Sequence, residues 1–192
     1  MKRLLPVLFA CAAALAMDVA AAQGSHHSHQ HSFGDAEKWA KEFDDPARDE
    51  WQKPAEVIKA LALAPEARVA DIGAGTGYFS TRLARALPRG KVYAVDVEAD
   101  MVRYLGDRAK KEGLANLVPL KGDAETPNLP EPVDLVLIVD TAHHIEKRRT
   151  YFHRLRASMA PGGRIAVIDF TADSKIGPPP AARLATAKLH SE

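Results

Sequence analysis

The chain carries a single cysteine, Cys11, in 192 residues. One cysteine makes no intrachain disulfide, and no thiolate cluster of the zinc-binding type can be assembled from it. Charge of one sign is missing too, because 26 Lys and Arg stand against 25 Asp and Glu. That balance excludes binding of nucleic acid or of an acidic membrane surface through bulk charge. Aromatic residues make up only 6%, and the chain shows no basic groove interleaved with aromatics that would point to nucleic acid. The apolar run from Leu4 to about Met17 is too short to span a bilayer comfortably. What remains is 46% hydrophobic and 27% charged, which suits one globular domain with a proper core.

The N-terminus reads separately. Lys2 and Arg3 precede the apolar run, and small residues follow it up to Gln23. This pattern predicts a signal peptide over residues 1–22, cleaved after Ala22, and a periplasmic or secreted product. A membrane anchor and a lipid-modified Cys11 fit the same stretch less well. Cleavage removes Cys11 and leaves 24 basic and 24 acidic residues. Residues 23–32, "QGSHHSHQHS", are polar and low in complexity, which predicts disorder. His26, His27, His29 and His31 are weak metal candidates, because no carboxylate or cysteine completes a fixed geometry. A solvated tail is the favoured reading of this segment.

Residues 33–64 read as a helical leader. Phe33, Trp39 and Phe43 recur at helical spacing, so Asp35 to Phe43 is expected to be a short helix, broken at Pro46. A second helix begins near Pro54, a residue suited to a first turn, and buries Val57, Ile58, Leu61 and Leu63. Between residues 65 and 173 apolar strands alternate with amphipathic helices. "ARVADIG", "KVYAVDV", "NLVPLKGD", "VDLVLIVD" and "RIAVIDF" are the strands, and "KRRTYFHRLRASMAPGG" is a helix followed by a loop. That order predicts an α/β fold: a parallel sheet of about five strands with helices on both faces. The proline-rich residues 174–192 form a tail.

The turn after the first strand is "GAGTG". Gly73, Gly75 and Gly77 clear side chains from it, so backbone can approach a ligand closely. The helix that follows offers free N–H groups and the positive end of its dipole. The spacing is G-x-G-x-G, unlike the G-x-G-x-x-G of dinucleotide folds, which weighs against a nicotinamide-dependent dehydrogenase. Asp96 ends the next strand about 20 residues on, where a carboxylate can accept both hydroxyls of a ribose. Asp123, at the end of the third strand, can accept from an exocyclic amine or simply form a turn. Acids at successive strand ends on one rim, in register with the glycines, point to a bound nucleoside.

"VADIGAGTGYFS", "VYAVDVEADM", "LKGDAE", "VDLVLIVDTAHHI" and "LRASMAPGGRIAVIDF" resemble, in order, the motifs of class I S-adenosylmethionine-dependent methyltransferases. "WAKEFDDPARDEWQKP" is similar to the leader of a subgroup of small bacterial members. The resemblance implies a Rossmann-like fold, S-adenosylmethionine as cofactor and a small-molecule acceptor. Residue by residue, it makes Asp71 the acid that orders the glycine turn and runs Gly73, Gly75 and Gly77 along the methionine and ribose. It makes Asp96 the ribose ligand, sets Asp123 with Ala124 at the adenine edge, and puts Asp140 and Thr141 beside the sulfonium. Asp140, His143, His144 and Tyr78 are the rim groups available as a base, an unperturbed histidine titrating at about 6.5. Trp39, Phe43, Arg48 and Trp51 form either a cover over the cofactor or a helix packed at the sheet edge. His153 reads as a surface or core-edge residue.

The family's sheet has seven strands, and no apolar run after Phe170 supplies the last two. The expectation is therefore an exposed fifth-strand edge, covered by a partner chain or left as a liability. A non-catalytic binder of the same nucleoside and an exported histidine-rich metal-binding protein are the alternative functions. Lack of cysteine in the mature chain argues against thiolate-dependent arsenite methylation.

Overall fold

The computed structural model describes residues 33–191. The segment expected to be a signal peptide, Cys11 and the four tail histidines His26, His27, His29 and His31 lie outside the described residues. Five parallel strands form one sheet in the order β3-β2-β1-β4-β5: β1 Arg68–Ile72, β2 Lys91–Asp96, β3 Leu117–Lys121, β4 Val133–Val139 and β5 Met159–Ile168. The helices are α1 Ala36–Phe43, α2 Arg48–Gln52, α3 Pro54–Leu61, α4 Tyr78–Ala86, α5 Ala99–Lys111, α6 Arg148–Arg156 and α7 Thr186–Ser191. Sequence order reverses between β1 and β4, and open α/β sheets bind ligands at the C-terminal strand ends of such a point.

Side-chain alternation divides the core into two layers. Val69, Val92, Ala94, Leu135, Leu137 and Val139 face one side, with Phe79 and Leu83 of α4 and Leu105 of α5. Ala70, Ile72, Tyr93, Val95, Val136 and Ile138 face the other, with Tyr151 and Leu155 of α6. β4 is covered on both faces, as its unbroken apolar run requires. Truncating a fully buried leucine such as Leu83 or Leu135 costs about 2–5 kcal/mol in such cores.

Three local features depart from the sequence reading. The stretch read as a break after Pro46 contains α2, which Lys53 ends at φ 47°. The aromatic residues of α1 are only half-buried, and its buried residue is Ala36. Finally, β5 starts at Met159, inside the segment expected to be a loop. Val133 pairs with Met159 and Leu135 with Arg164, so Ala160 to Gly163 bulge opposite the single residue Asp134. Pairing with β4 organises this segment, and no local propensity announces it. β5 is an edge strand among the described residues, with Ile165 40% exposed. Beyond it, the Arg183 guanidinium donates to the carbonyls of Ala172 (3.0 Å) and Ser174 (2.9 Å), and its Nε to that of Pro178 (2.8 Å). Leu184 and Leu189 pack on the second core layer.

Candidate functional site

The glycine turn leaves β1 at the switch point. Gly73, Gly75 and Gly77 have φ of 73°, 56° and 96°, a region in which other residues are strained. At Gly73 a Cβ would lie 2.3 Å from Thr141 Oγ1, so this turn and the segment after β4 meet with no room for a side chain. At Gly75 it would lie 3.3 Å from the Phe43 ring. The turn is tied to β2 by backbone: Gly73 N–H and Ala74 N–H both donate to Val95 O, at 2.9 and 3.0 Å.

Asp96 finishes that tie. Its Oδ2 accepts from Gly75 N–H at 2.8 Å and its Oδ1 from Glu98 N–H at 2.9 Å. Burial raises its carboxyl above the ordinary range against those hydrogen bonds. Asp71 is buried beneath the turn and accepts from Ser80 Oγ of α4 at 2.5 Å. Burial pushes it up to about 6, with the Ser80 bond and Arg48 opposing. It ties the end of β1 to α4, with only 3% of the residue exposed. Asp123 spends its carboxylate on its own turn: Oδ1 accepts from Glu125 and Thr126 N–H, both at 2.8 Å, and Oδ2 from Asn128 Nδ2 at 3.3 Å. Ala124 is exposed beside it.

A second group gathers at the ends of β4 and β5. Asp140 adopts φ 50°, and burial pushes its carboxyl up to about 6 although Arg48 opposes this. Arg48 Nη2 lies 3.2 Å from Asp140 Oδ2, and its guanidinium sits 4.2 Å from the Tyr78 ring centroid. His143 Nδ1 lies 2.9 and 3.0 Å from the two oxygens of Asp169. The His144 ring is 4.2 Å from that of His143 and 5.6 Å from Phe33. His153 lies on α6 and is exposed.

The leader lies across this rim. Ala36 N–H donates to Asp100 (2.6 Å), Arg108 to Asp44 (2.8 and 2.9 Å), and Tyr78 Oη and Arg82 to Asp49. Phe33, Trp39 and Phe43 pack among themselves with ring centroids 5.0–5.9 Å apart. The sequence left open whether this segment covers the cofactor rim or packs at the sheet edge; Phe43 lies against Gly75, while Trp51 is 45% exposed. Asp169 was missed in the sequence. It stands one residue beyond β5, as Asp140 stands one residue beyond β4, and that shared position was the signal available. Among the described residues no three His, Cys, Asp or Glu side chains gather as metal ligands do.

A methyltransferase domain model matches residues 69–163. A crystal structure of an S-adenosylmethionine-dependent methyltransferase from Aquifex aeolicus superposes with a TM-score of 0.74 at 30% identity, covering 82% of this chain and 85% of that one. The chain belongs to the S-adenosylmethionine-dependent methyltransferases. An uncharacterized methyltransferase of Mycobacterium tuberculosis is 37% identical over 107 residues, which are 55% of this chain and 52% of the relative. The malonyl-[acyl-carrier protein] O-methyltransferase of Methylococcus capsulatus is 35% identical over 107 residues, 55% of this chain and 38% of that one. The chain thus spans about half the length, or less, of these curated relatives.

S-adenosylmethionine is the cofactor of this family, and the residues present fit it. Arg48 Nε and Thr76 Oγ1 are buried without a hydrogen-bond partner, one beside Asp140 and the other inside the glycine turn. A buried donor left unpaired costs about 1–3 kcal/mol, which a polar ligand reaching either atom would relieve. The glycine turn and the Asp96 carboxylate suit a ribose, and a guanidinium suits the carboxylate of an amino acid.

Proposed function

We propose that this methyltransferase acts on a small-molecule acceptor, with the cofactor held along Gly73–Gly77 and Asp96 and the acceptor entering beside Asp140, His143 and His144. The contact between Gly73 and Thr141 carries this reading, because it sets the donor turn directly against the segment that presents Asp140 and His143. S-adenosylmethionine supplies a methyl carbon on a sulfonium, already a good electrophile. The protein's part is alignment and exclusion of water. Asp140, paired with Arg48 and largely buried, orients the ligand, and the leader rings shield the crevice.

In the same reading Asp71 orders the turn and Asp123 with Ala124 borders the adenine. Residues 1–22 direct export to the periplasm or out of the cell, and a partner chain covers the β5 edge. The basic Lys2 and Arg3 ahead of the apolar run support the first of these, and the exposure of Ile165 supports the second. Mass analysis of the protein from cells reads the cleavage site directly.

Calorimetric titration with S-adenosylhomocysteine tests the core of the reading. Micromolar binding is expected from the wild-type chain, and a loss of about tenfold or more from Asp96→Ala. Asp96→Asn keeps an oxygen for Gly75 N–H and separates loss of the loop tie from loss of the charge. A folded wild-type chain without affinity would sink the proposal. Affinity without turnover of any acceptor would leave a binding protein in place of an enzyme.

A further inference from the structure

Alignment and shielding leave one pair of side chains unexplained. Asp169 presents both carboxylate oxygens to His143 Nδ1, and the two side chains are only 4% and 6% exposed. The backbone on either side is fixed. Asp140 N–H donates to Ile168 O at 2.9 Å, joining the ends of β4 and β5, and Phe170 N–H donates to Asp169 Oδ1 at 2.8 Å. Burial raises the Asp169 carboxyl, but the bonds from His143 and Phe170 outweigh it and hold the group below its usual range. Asp169 is therefore an anion at neutral pH. A carboxylate only accepts, so Nδ1 carries the hydrogen, and in the neutral imidazole Nε2 is the nitrogen with the lone pair. Shielding two ionisable groups merely to tie a loop to a strand gains little, because desolvation offsets the attraction. The groups around the imidazole are Asp169 just beyond β5, Asp140 just beyond β4 with Arg48 behind it, and the His144 ring.

We propose that Asp169 is the positioning residue for His143, and that His143 Nε2 takes a proton from the methyl acceptor as it attacks. This rests on the methyltransferase reading above and narrows its substrate class. The acceptor is a neutral O–H, N–H or C–H group, not a tertiary amine or a thioether, which bear no proton to remove. The acceptor's bond to hydrogen gives up its proton to Nε2, and the freed pair forms the bond to the methyl carbon. The carbon–sulfur pair leaves with sulfur, and the imidazolium, held by Asp169, returns its proton to water.

Two measurements test this. In the ligand-free, nitrogen-labelled chain, long-range proton–nitrogen NMR reads which imidazole nitrogen is protonated, with His143→Gln assigning the signal. His143 is expected as the Nδ1–H form, changing to Nε2–H in Asp169→Ala and in the isosteric Asp169→Asn, whose melting curves establish folding. Methyl transfer is then followed as S-adenosylhomocysteine release with four probes: catechol and histamine, which carry such protons, and trimethylamine and dimethyl sulfide, which do not. Turnover of catechol or histamine is expected. Its kcat should fall by about 100-fold in His143→Gln and by at least about tenfold in Asp169→Asn, with KM for S-adenosylmethionine unchanged. An unchanged tautomer in both Asp169 variants overturns the positioning role. Turnover of only trimethylamine or dimethyl sulfide overturns the base, as does no turnover by a chain that binds S-adenosylhomocysteine. A wild-type chain that binds no S-adenosylhomocysteine fails at the methyltransferase reading itself, whatever the tautomer.

Discussion

The two halves of the rim are made differently. Around β1 and β2 the site is backbone: a glycine turn held by Val95 O and by the Asp96 carboxylate, each partner close to a strand end. Around β4 and β5 it is side chains: Arg48 from α2, Asp140, His143 and Asp169, drawn together from across the chain and partly shielded from water. The first half has one shape and little to titrate at its surface. The second is a set of charges whose balance depends on every member, so substitutions should act on the two halves in different ways.

The largest effect is expected where the halves touch. Gly73→Val places a branched side chain on Thr141 at φ 73°. It should lower unfolding free energy by about 3 kcal/mol in urea melts and abolish S-adenosylhomocysteine binding. Combining Gly73→Ala with Thr141→Ala removes the collision but keeps the φ strain, and should recover only part of the loss. Next comes Arg48→Ala, which leaves Asp140 without its cation. A loss of about 2 kcal/mol is expected at neutral pH. It should shrink as pH falls below about 6, where Asp140 takes up a proton and the pair no longer matters. An equal loss at pH 4 and pH 7, on the order of the neutral value, would show that packing rather than charge is at stake.

Asp71 offers a smaller effect of opposite sign. Its folded-state carboxyl is raised to about 6, so the native state holds that proton more tightly than the unfolded chain does. Its contribution to stability is full below about 4 and is lost as pH rises through about 6. Asp71→Asn should therefore match wild type near the acid end and exceed it by about 1–2 kcal/mol at neutral pH. Equal pH profiles for the two chains would contradict the raised value. Smallest is Arg103→Ala. It removes ion pairs to Glu37 and Asp100 at a half-exposed position, and no measurable change in melting temperature is expected.

The same division explains what could be read from the sequence. The five strands were legible because each is a short apolar run between breakers. The glycine turn and Asp96 were legible because fixed spacing places them together. Asp123 was read as either a ligand or a turn former, and here its oxygens close its own turn. The start of β5 at Met159 was not legible, since the pairing of Met159 with Val133 exists only once β4 is beside it. Asp169 and the Arg48–Asp140 pair were hidden for a related reason. Residues 48 and 140 are far apart in sequence, and no periodicity links an arginine before the sheet to an acid after its fourth strand. The candidate base was visible as "HH"; the carboxylate that orients it was not.

The Phe43 ring rests against Gly75, on the same turn that the cofactor would follow. A ligand laid along that face of the turn would have to displace the ring. Capture would then be two successive events, a swing of the aromatic residue and the arrival of the ligand, each with its own rate. In stopped-flow mixing the observed rate should level off at high ligand concentration, at the frequency with which the ring swings. Shortening the residue to alanine should lift that plateau and shorten the time a bound molecule stays.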